Sequence, residues 1–429
     1  MNKHHRWLAR QIPDWIDGGL ITDAQGQALR ERYPLGDGLS LGRLLLTGLG
    51  AIMIGLGVIL LFAYNWSEMG KLSKLAVIFG ALLGAHAAAL YTREHKQVLS
   101  ESLFALGTML MGAGIFLVGQ IYHFDSHYPN ALLIWTLGAL VLAWSLPSLT
   151  QAFMAVALVI LWHVTEVIDF NFANHAGSLL ILFGLFPLLW RLRSPLLARF
   201  VSVAVFLALG LTTAMTDEGL VLPSLLLTAA ALIGLERLAG ETGEAWRREM
   251  AAELTKPALL VLFGVIYLLT FSELVPDLLH IHWHDSLTPL YFWAPLLAGQ
   301  AIFFRLLLQR RLDSLLWLAQ GGVLLALLPT ILTPLLEPST LSETVEPIVW
   351  IGSNLLLLAV SLWLMIGGAR RGERNPMLKG SLLFAMLAAA RYTDLFDSLL
   401  ARAVVFLLVG IALFAVNHFY QRNKRLSGG

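Results

Sequence analysis

The sequence predicts an all-α protein, a polytopic transmembrane helical bundle of about 14 spans. Composition gives the first reason, because 57% of the residues are hydrophobic and only 13% are charged. In a soluble chain, about a quarter of the residues would be charged. The second reason is that apolar runs of membrane-spanning length recur along the chain. The bilayer is therefore the expected solvent.

A helix that crosses the hydrocarbon core needs about 20 mostly apolar residues. An even number of spans would place both termini on one side of the membrane. The short run that ends at Tyr392 is the weakest, and without it the chain would have about 13 spans and an external C-terminus. The runs lie near residues 44–64, 72–92, 98–119, 130–147, 152–168, 176–190, 200–215, 219–238, 257–274, 289–308, 315–336, 345–367, 376–392 and 403–420.

The positive charges indicate which side is which. When Lys and Arg are assigned to alternate gaps between the spans, 25 of the 29 fall on one side and 4 on the other. Loops that retain Lys and Arg stay in the cytoplasm during insertion. The N-terminus is therefore predicted to be cytoplasmic, and in a 14-span bundle the C-terminus is cytoplasmic too.

Three segments follow from this topology: residues 1–43, the transmembrane domain 44–420 and a basic tail 421–429. In the first segment, apolar residues recur at helical spacing up to Ile16, and Gly18 and Gly19 then break the pattern. Thr22 and Gln25 have the spacing of a capping box that starts a second short helix. We therefore expect a cytoplasmic helical hairpin, whose exposed apolar residues could pack on the membrane domain, lie at the membrane interface or bind a protein partner.

Polar residues collect where the odd-numbered spans reach the outer side. Polar groups at membrane depth are costly and therefore indicate function. The alternative is an interfacial belt of aromatic and capping residues. The candidate ligand-binding residues are Asn65, Trp66, Gln120, Tyr122, His163, Glu166, Arg391 and Asp394.

Two pairs within this set have a spacing of three residues. Glu166 could orient the His163 imidazole for proton exchange or metal ligation, or both could make ordinary hydrogen bonds at a helix end. Arg391 and Asp394 could form a structural ion pair, or the arginine could attract an anionic ligand.

Histidines alternate in the outer loop before the tenth span. His280, His282 and His284 would lie on one side of an extended segment, which permits Zn or Cu binding or a response to pH. Ordinary interfacial histidines are the alternative. The chain has no Cys, which excludes Cys-ligated metal sites.

No stretch of the sequence specifies a reaction or a cofactor. A Walker loop, an HExxH motif and a dinucleotide-binding glycine motif are all missing from the loops. The basic loops lack the interleaved aromatic residues typical of nucleic-acid binding. The lipid bilayer is thus the one partner that the composition requires, and nucleic acid is not expected.

Several short segments resemble a known family. They are the run from Trp15 to Thr22, the pair Asn65 and Trp66, the run from Gly119 to Tyr122, and the run from Arg391 to Phe396. Together they are similar to an uncharacterised family of bacterial polytopic membrane proteins, a domain of unknown function, number twenty-one fifty-seven. The resemblance implies a bacterial inner-membrane location and no established activity.

Three hypotheses follow for function. The first is transport or handling of a small solute or lipid through an outward-facing polar pocket. The second is a non-catalytic membrane assembly or regulatory protein that uses the N-terminal hairpin as a docking module. The third is a membrane-embedded transferase at the outer leaflet.

Overall fold

The computed structural model describes residues 11–13, 15–32, 53, 69–123, 127–241, 243–276, 288–332, 338–394, 407–412 and 414–421. Every regular element in these ranges is helical. The chain divides into two compact units, Met1–Val77 and Ile78–Gly429. The principal helices are α1 (Asp23–Arg32), α2 (Lys71–Thr92), α3 (Gln97–Tyr122), α4 (Pro129–Ser145), α5 (Leu149–Ile168), α6 (His175–Leu180), α7 (Leu188–Leu192), α8 (Pro195–Thr216), α9 (Val221–Ala239), α10 (Ala245–Leu268), α11 (Thr288–Leu308), α12 (Ser314–Leu332), α13 (Pro338–Arg371) and α14 (Arg374–Asp394).

In the first unit, the predicted capping box starts α1. The Thr22 backbone N–H donates to Gln25 Oε1 over 2.9 Å, and the Gln25 N–H donates to Thr22 Oγ1 over 3.3 Å. Gly19 turns the chain with a positive φ of 69°. Gly26 on α1 lies directly against Ile16, since a Cβ added there would be 2.7 Å from the Ile16 Cδ1 atom. The arrangement of this segment as a cytoplasmic hairpin stays a prediction.

Nine helices in the described part of the chain are long and apolar enough to cross a membrane. Eight of them coincide with apolar runs that predicted a span. The helix Ala245–Leu268 begins twelve residues before the predicted run 257–274 and overlaps it only over residues 257–268. The nine described helices are Lys71–Thr92, Gln97–Tyr122, Leu149–Ile168, His175–Leu192, Pro195–Thr216, Glu218–Ala239, Ala245–Leu268, Pro289–Leu308 and Glu343–Arg371.

The predicted total of about 14 spans is not confirmed. Three further apolar helices, Pro129–Ser145, Ser314–Pro329 and Leu407–Gln421, are shorter than those nine. The run 376–392 lies in α14, which carries Arg391 in its last turn and has many small residues. The first run, 44–64, lies outside the described residues except for Met53, which is helical.

Two apolar cores hold the second unit together. One core joins α4, α5, the π-helical turn Ile181–Leu185, α7 and α8 to the first half of α10. The other joins α9 and α12 to the second half of α10 and to α13. Helix α10 therefore links the two cores, and α9 packs against α10, α11 and α12.

The segment His175–Leu192 is a broken helix. A π-helical turn, Ile181–Leu185, follows α6, and Pro187 then precedes α7. Proline lacks an N–H and therefore leaves carbonyl groups of the preceding turn in need of another donor. The Trp144 indole Nε1 donates to the Gly184 carbonyl oxygen over 3.0 Å. A side chain of α4 thus satisfies the broken helix inside the bundle, as the absence of water in the bilayer core requires.

Helices α13 and α14 touch backbone to backbone. A Cβ added at Gly380 would lie 2.5 Å from the Met365 nitrogen and 2.7 Å from the Ser361 oxygen. A Cβ at Gly368 would lie 2.5 Å from the Met377 nitrogen. Gly372, with a positive φ of 70°, turns the chain between the two helices. Glycine allows this approach because any larger residue would push the helices apart.

We expect Gly380→Ala to lower the stability of the protein by about 1–3 kcal/mol, the usual cost of overpacking. The new methyl group has no room, because the atoms that it meets belong to the backbone of α13 and cannot turn away. Thermal unfolding of the detergent-solubilised protein measures the effect.

Gly264→Ala is the matched control. It is also a helical glycine, but a Cβ there meets no described atom within 4 Å. Alanine should be neutral or slightly stabilising at that position because of its higher helix propensity. Equal melting temperatures for the two variants would show that the close contact of α13 and α14 does not limit stability.

Candidate functional site

A buried carboxylate lies near the end of α5. Glu166 is 6% exposed, and it accepts two hydrogen bonds from neighbouring side chains. Trp162 Nε1 donates to Glu166 Oε1 over 3.1 Å, and His127 Nε2 donates to Glu166 Oε2 over 2.7 Å. The His127 side chain is 35% exposed, so it links the carboxylate to the surface. A carboxylate inside a membrane segment is tolerated where such donors are provided.

Two aromatic side chains, Phe170 and Tyr128, lie next to the histidine that bonds to this carboxylate. The Phe170 ring lies edge-on to His127, with centroids 4.1 Å apart, and to Tyr128 at 5.2 Å. The Tyr128 hydroxyl donates a hydrogen bond to Asp169. This bond to a carboxylate raises the pKa of the Tyr128 phenol above its ordinary value. Tyr128 and Asp169 thus hold the start of α4 against the end of α5.

His163 lies within hydrogen-bond distance of a different helix. Its Nε2 atom and the Thr212 Oγ1 atom on α8 share a hydrogen bond of 3.0 Å. His163 is 1% exposed, and within the described residues its Nδ1 atom has no hydrogen-bond partner. A Cβ at Gly177 would lie 2.4 Å from this Nδ1 atom and 3.2 Å from Asn174 Nδ2. The imidazole is therefore enclosed between α5, α6 and α8.

The two members of the predicted His163 and Glu166 pair point to different neighbours. Two side chains that are three residues apart on a helix point in directions that differ by about 60° around its axis. They can therefore reach different neighbours. Both oxygens of Glu166 are used by Trp162 and His127, while His163 bonds to Thr212. The pair therefore does not act as a single orienting hydrogen bond, and its binding role stays a prediction.

Arg391 belongs to a second polar group, at the end of α14. It donates to the Thr270 carbonyl oxygen and lies over the Trp350 ring, 5.6 Å from its centroid. The bonds described for Glu166 and His163 go to Trp162, His127 and Thr212. That the two polar groups form one ligand-binding site stays a prediction.

The other predicted residues have these positions. Gln120 and Tyr122 are exposed in the last turn of α3. Asp394 ends α14, but its side chain lies outside the described residues, as do Asn65 and Trp66. The predicted metal ligands His280, His282 and His284 are outside them too. Across the ranges that the structure does describe, no group of three or more His, Cys, Asp or Glu side chains could hold a metal ion.

A narrow cleft lies between α9, α11 and α12. Its empty space, including the open mouth, is about 320 Å³. The amides of Gln300 and Gln320 bond to each other in both directions, each over 3.2 Å. Small residues, among them Gly234 and Gly299, line the rest. Because the two amides satisfy one another, the pair is adequately explained as a polar contact that joins α11 to α12.

Sequence reasoning missed His127, Trp162 and Thr212. Trp162 had a detectable signal, since it precedes Glu166 by four residues and therefore lies on the same helix face. His127 and Thr212 had none, because they lie 39 residues from Glu166 and 49 residues from His163 in the chain. Only the packing of α5 against its neighbours brings them to the site.

These features define the class of the protein, a membrane protein with many apolar helices and buried polar groups at helix ends. Residues 13–152 match the family model described as Predicted membrane protein (DUF2157), which confirms the predicted resemblance over that segment. No curated protein and no solved structure matches the chain. Glu166 and Arg391 lie beyond the matched residues, so the family assigns them no role.

We expect Thr212→Val to destabilise the protein by about 1–3 kcal/mol, because it removes the hydroxyl that bonds to the buried His163 Nε2 atom. Thr213→Val is a control on the next residue, which is equally buried. The Thr213 hydroxyl donates to the Leu209 carbonyl of its own helix over 2.7 Å. That carbonyl remains able to bond within the helix, so this change should cost less. Chemical or thermal unfolding in detergent measures both, and a smaller loss for Thr212→Val than for Thr213→Val would contradict the assignment.

Proposed function

We propose that this membrane protein transports or otherwise handles a small solute or lipid through polar sites at the outer ends of its helices. The observation that carries the proposal is Glu166, a buried carboxylate that bonds to a partly exposed histidine. Ionisable groups within membrane segments are costly and are typical of substrate or proton pathways. His127 and Glu166 can exchange a proton along their 2.7 Å hydrogen bond.

The proposed location is the bacterial inner membrane, with the basic loops in the cytoplasm. The uneven distribution of Lys and Arg supports this orientation. The ends of α13 and α14 illustrate the pattern, because Arg370, Arg371 and Arg374 surround one turn. We also propose the division into an N-terminal module 1–43, a transmembrane domain 44–420 and a basic tail 421–429. An enzymatic role is not part of this proposal.

Glu166→Gln is the decisive variant for transport or lipid handling. It keeps the shape of the side chain and removes its capacity to carry and release a proton. Proteoliposomes loaded with a pH-sensitive dye are challenged with amino acids, sugars, nucleosides and carboxylic acids. Vesicles with headgroup-labelled fluorescent phospholipids test lipid movement in parallel. We expect one class of probe to give a protein-dependent signal that Glu166→Gln abolishes.

Glu343→Gln is the matched control. Glu343 is also a glutamate, but it is exposed and lies on a different helix, α13. It should leave the signal unchanged. The proposal fails if no probe gives a protein-dependent signal, or if Glu166→Gln retains the full signal of the unmodified protein.

A second candidate function is assembly or regulation through the N-terminal segment. Leu20 is 75% exposed at the turn that precedes α1, which leaves its apolar side chain available to a protein partner. In this case the segment would dock a partner and the transmembrane helices would serve as its platform.

If the second function is correct, Leu20→Ser and removal of residues 1–34 should both dissociate a complex from the protein. Gln27→Ser, an exposed polar position on α1, is the control. Blue-native electrophoresis of solubilised membranes measures the size of the complex. A band that is the same size for the purified protein and for the protein in membranes would rule out a stable partner.

A further inference from the structure

The polar group around Arg391 joins three parts of the bundle. Arg391 on α14 donates to the carbonyl oxygen of Thr270, just beyond α10. Asn354 on α13 donates to the same oxygen over 3.2 Å and to the Trp350 carbonyl over 2.8 Å. The Arg391 guanidinium also lies over the Trp350 ring. A positive charge is therefore fixed in one position by a carbonyl and an aromatic face.

The depth of this group follows from helix geometry. Twenty residues separate Trp350 from Arg370 along the continuous helix α13, which corresponds to a rise of about 30 Å. This distance equals the thickness of the hydrocarbon core. If Arg370 lies at one membrane boundary, Trp350 and Arg391 lie at the other, at the level of lipid phosphates.

Several buried polar atoms in this group have no partner within the described residues. They are Trp350 Nε1, Ser353 Oγ and Asn354 Oδ1. Residues 350, 353 and 354 lie on one face of α13 because of their spacing. Ser353 is fully buried, at 0% exposure. More than nine in ten buried polar groups are normally paired, so three unpaired atoms in one helical turn indicate that something else bonds there.

The chemistry of these atoms indicates what that is. The indole N–H and the serine hydroxyl are donors, and Arg391 adds a guanidinium with donors in a planar fork. Together, the donors come from three separate side chains and are not confined to one plane as those of a lone guanidinium are. Such a set suits phosphate, which has several oxygens, better than a planar carboxylate. Asn354 Oδ1 can accept from a protonated phosphate oxygen or from a neighbouring hydroxyl of the ligand.

We propose that Arg391, Trp350 and Ser353 bind the phosphate group of a solute or of a lipid headgroup. The inference rests on the function proposed above, for which it names the ligand class. Each donor would bond to one phosphate oxygen, and the guanidinium would balance the negative charge.

Two conservative substitutions test the site without removing the charge that holds it together. Trp350→Phe keeps an aromatic ring and removes the indole N–H, and Ser353→Ala removes the hydroxyl. The purified full-length protein is titrated with inorganic phosphate by calorimetry. Native mass spectrometry then compares binding of phosphatidylglycerol with binding of diacylglycerol, which has the same acyl chains and no phosphate. We expect inorganic phosphate or phosphatidylglycerol to bind and each variant to weaken that binding about tenfold, equivalent to about 1.4 kcal/mol.

The same variants distinguish a ligand site from a structural contact. If the atoms await a ligand, removing them should leave the unfolding temperature of the ligand-free protein unchanged or raise it, because an unsatisfied buried group disappears. Ser361→Ala and Trp363→Phe are controls on α13. The Ser361 hydroxyl donates to the Leu358 carbonyl over 2.8 Å, and Trp363 is 50% exposed. Neither control should change binding.

Two results would overturn the proposal. One is that inorganic phosphate does not bind and phosphatidylglycerol binds no better than diacylglycerol. The other is that Trp350→Phe and Ser353→Ala leave binding intact and destabilise the protein, which would mean that the chain itself satisfies these atoms. The phosphate titration and the transport assay with Glu166→Gln test the two proposals separately. If phosphate binds but the protein gives no flux and no lipid movement, transport and lipid handling are refuted and the phosphate site remains supported.

Discussion

The constraint on which the structure depends is that polar groups in the bilayer must find partners within the protein. The broken helix His175–Leu192 shows this at the level of the backbone, where the Trp144 indole bonds to the Gly184 carbonyl. Glu166 shows it for a charged side chain. Apolar packing joins the helices, and these polar contacts favour particular neighbours, because an unpaired group at such depth costs several kcal/mol.

The helices could be predicted because length and composition determine them. The run 72–92 became Lys71–Thr92, and 200–215 became part of Pro195–Thr216, a helix capped by Ser194 and started by Pro195. The run 376–392 was harder, since α14 combines small and charged residues with few large apolar ones. Gly380 of this helix lies directly against the backbone of α13, and no local pattern reveals which helix will be that neighbour.

The candidate site was predictable only in part. Glu166 and Arg391 could be singled out because a charged residue in an apolar run is conspicuous. Their partners could not, since His127, Thr270 and Trp350 are remote in the chain and are typical of interfacial sequence. That both residues share one pocket stays a prediction. Spans that share a direction bring their ends to one membrane face, but lateral neighbours depend on packing.

The close contact of α13 and α14 has a mechanical consequence. Two helices whose backbones touch at Gly368 and Gly380, joined by a turn at Gly372, have little freedom to slide past each other. They form a stiff pair, with Arg391 near one end and the arginines Arg370, Arg371 and Arg374 at the turn that joins them. A tilt imposed at one end of the pair is therefore transmitted to its other end instead of being absorbed by sliding between the helices.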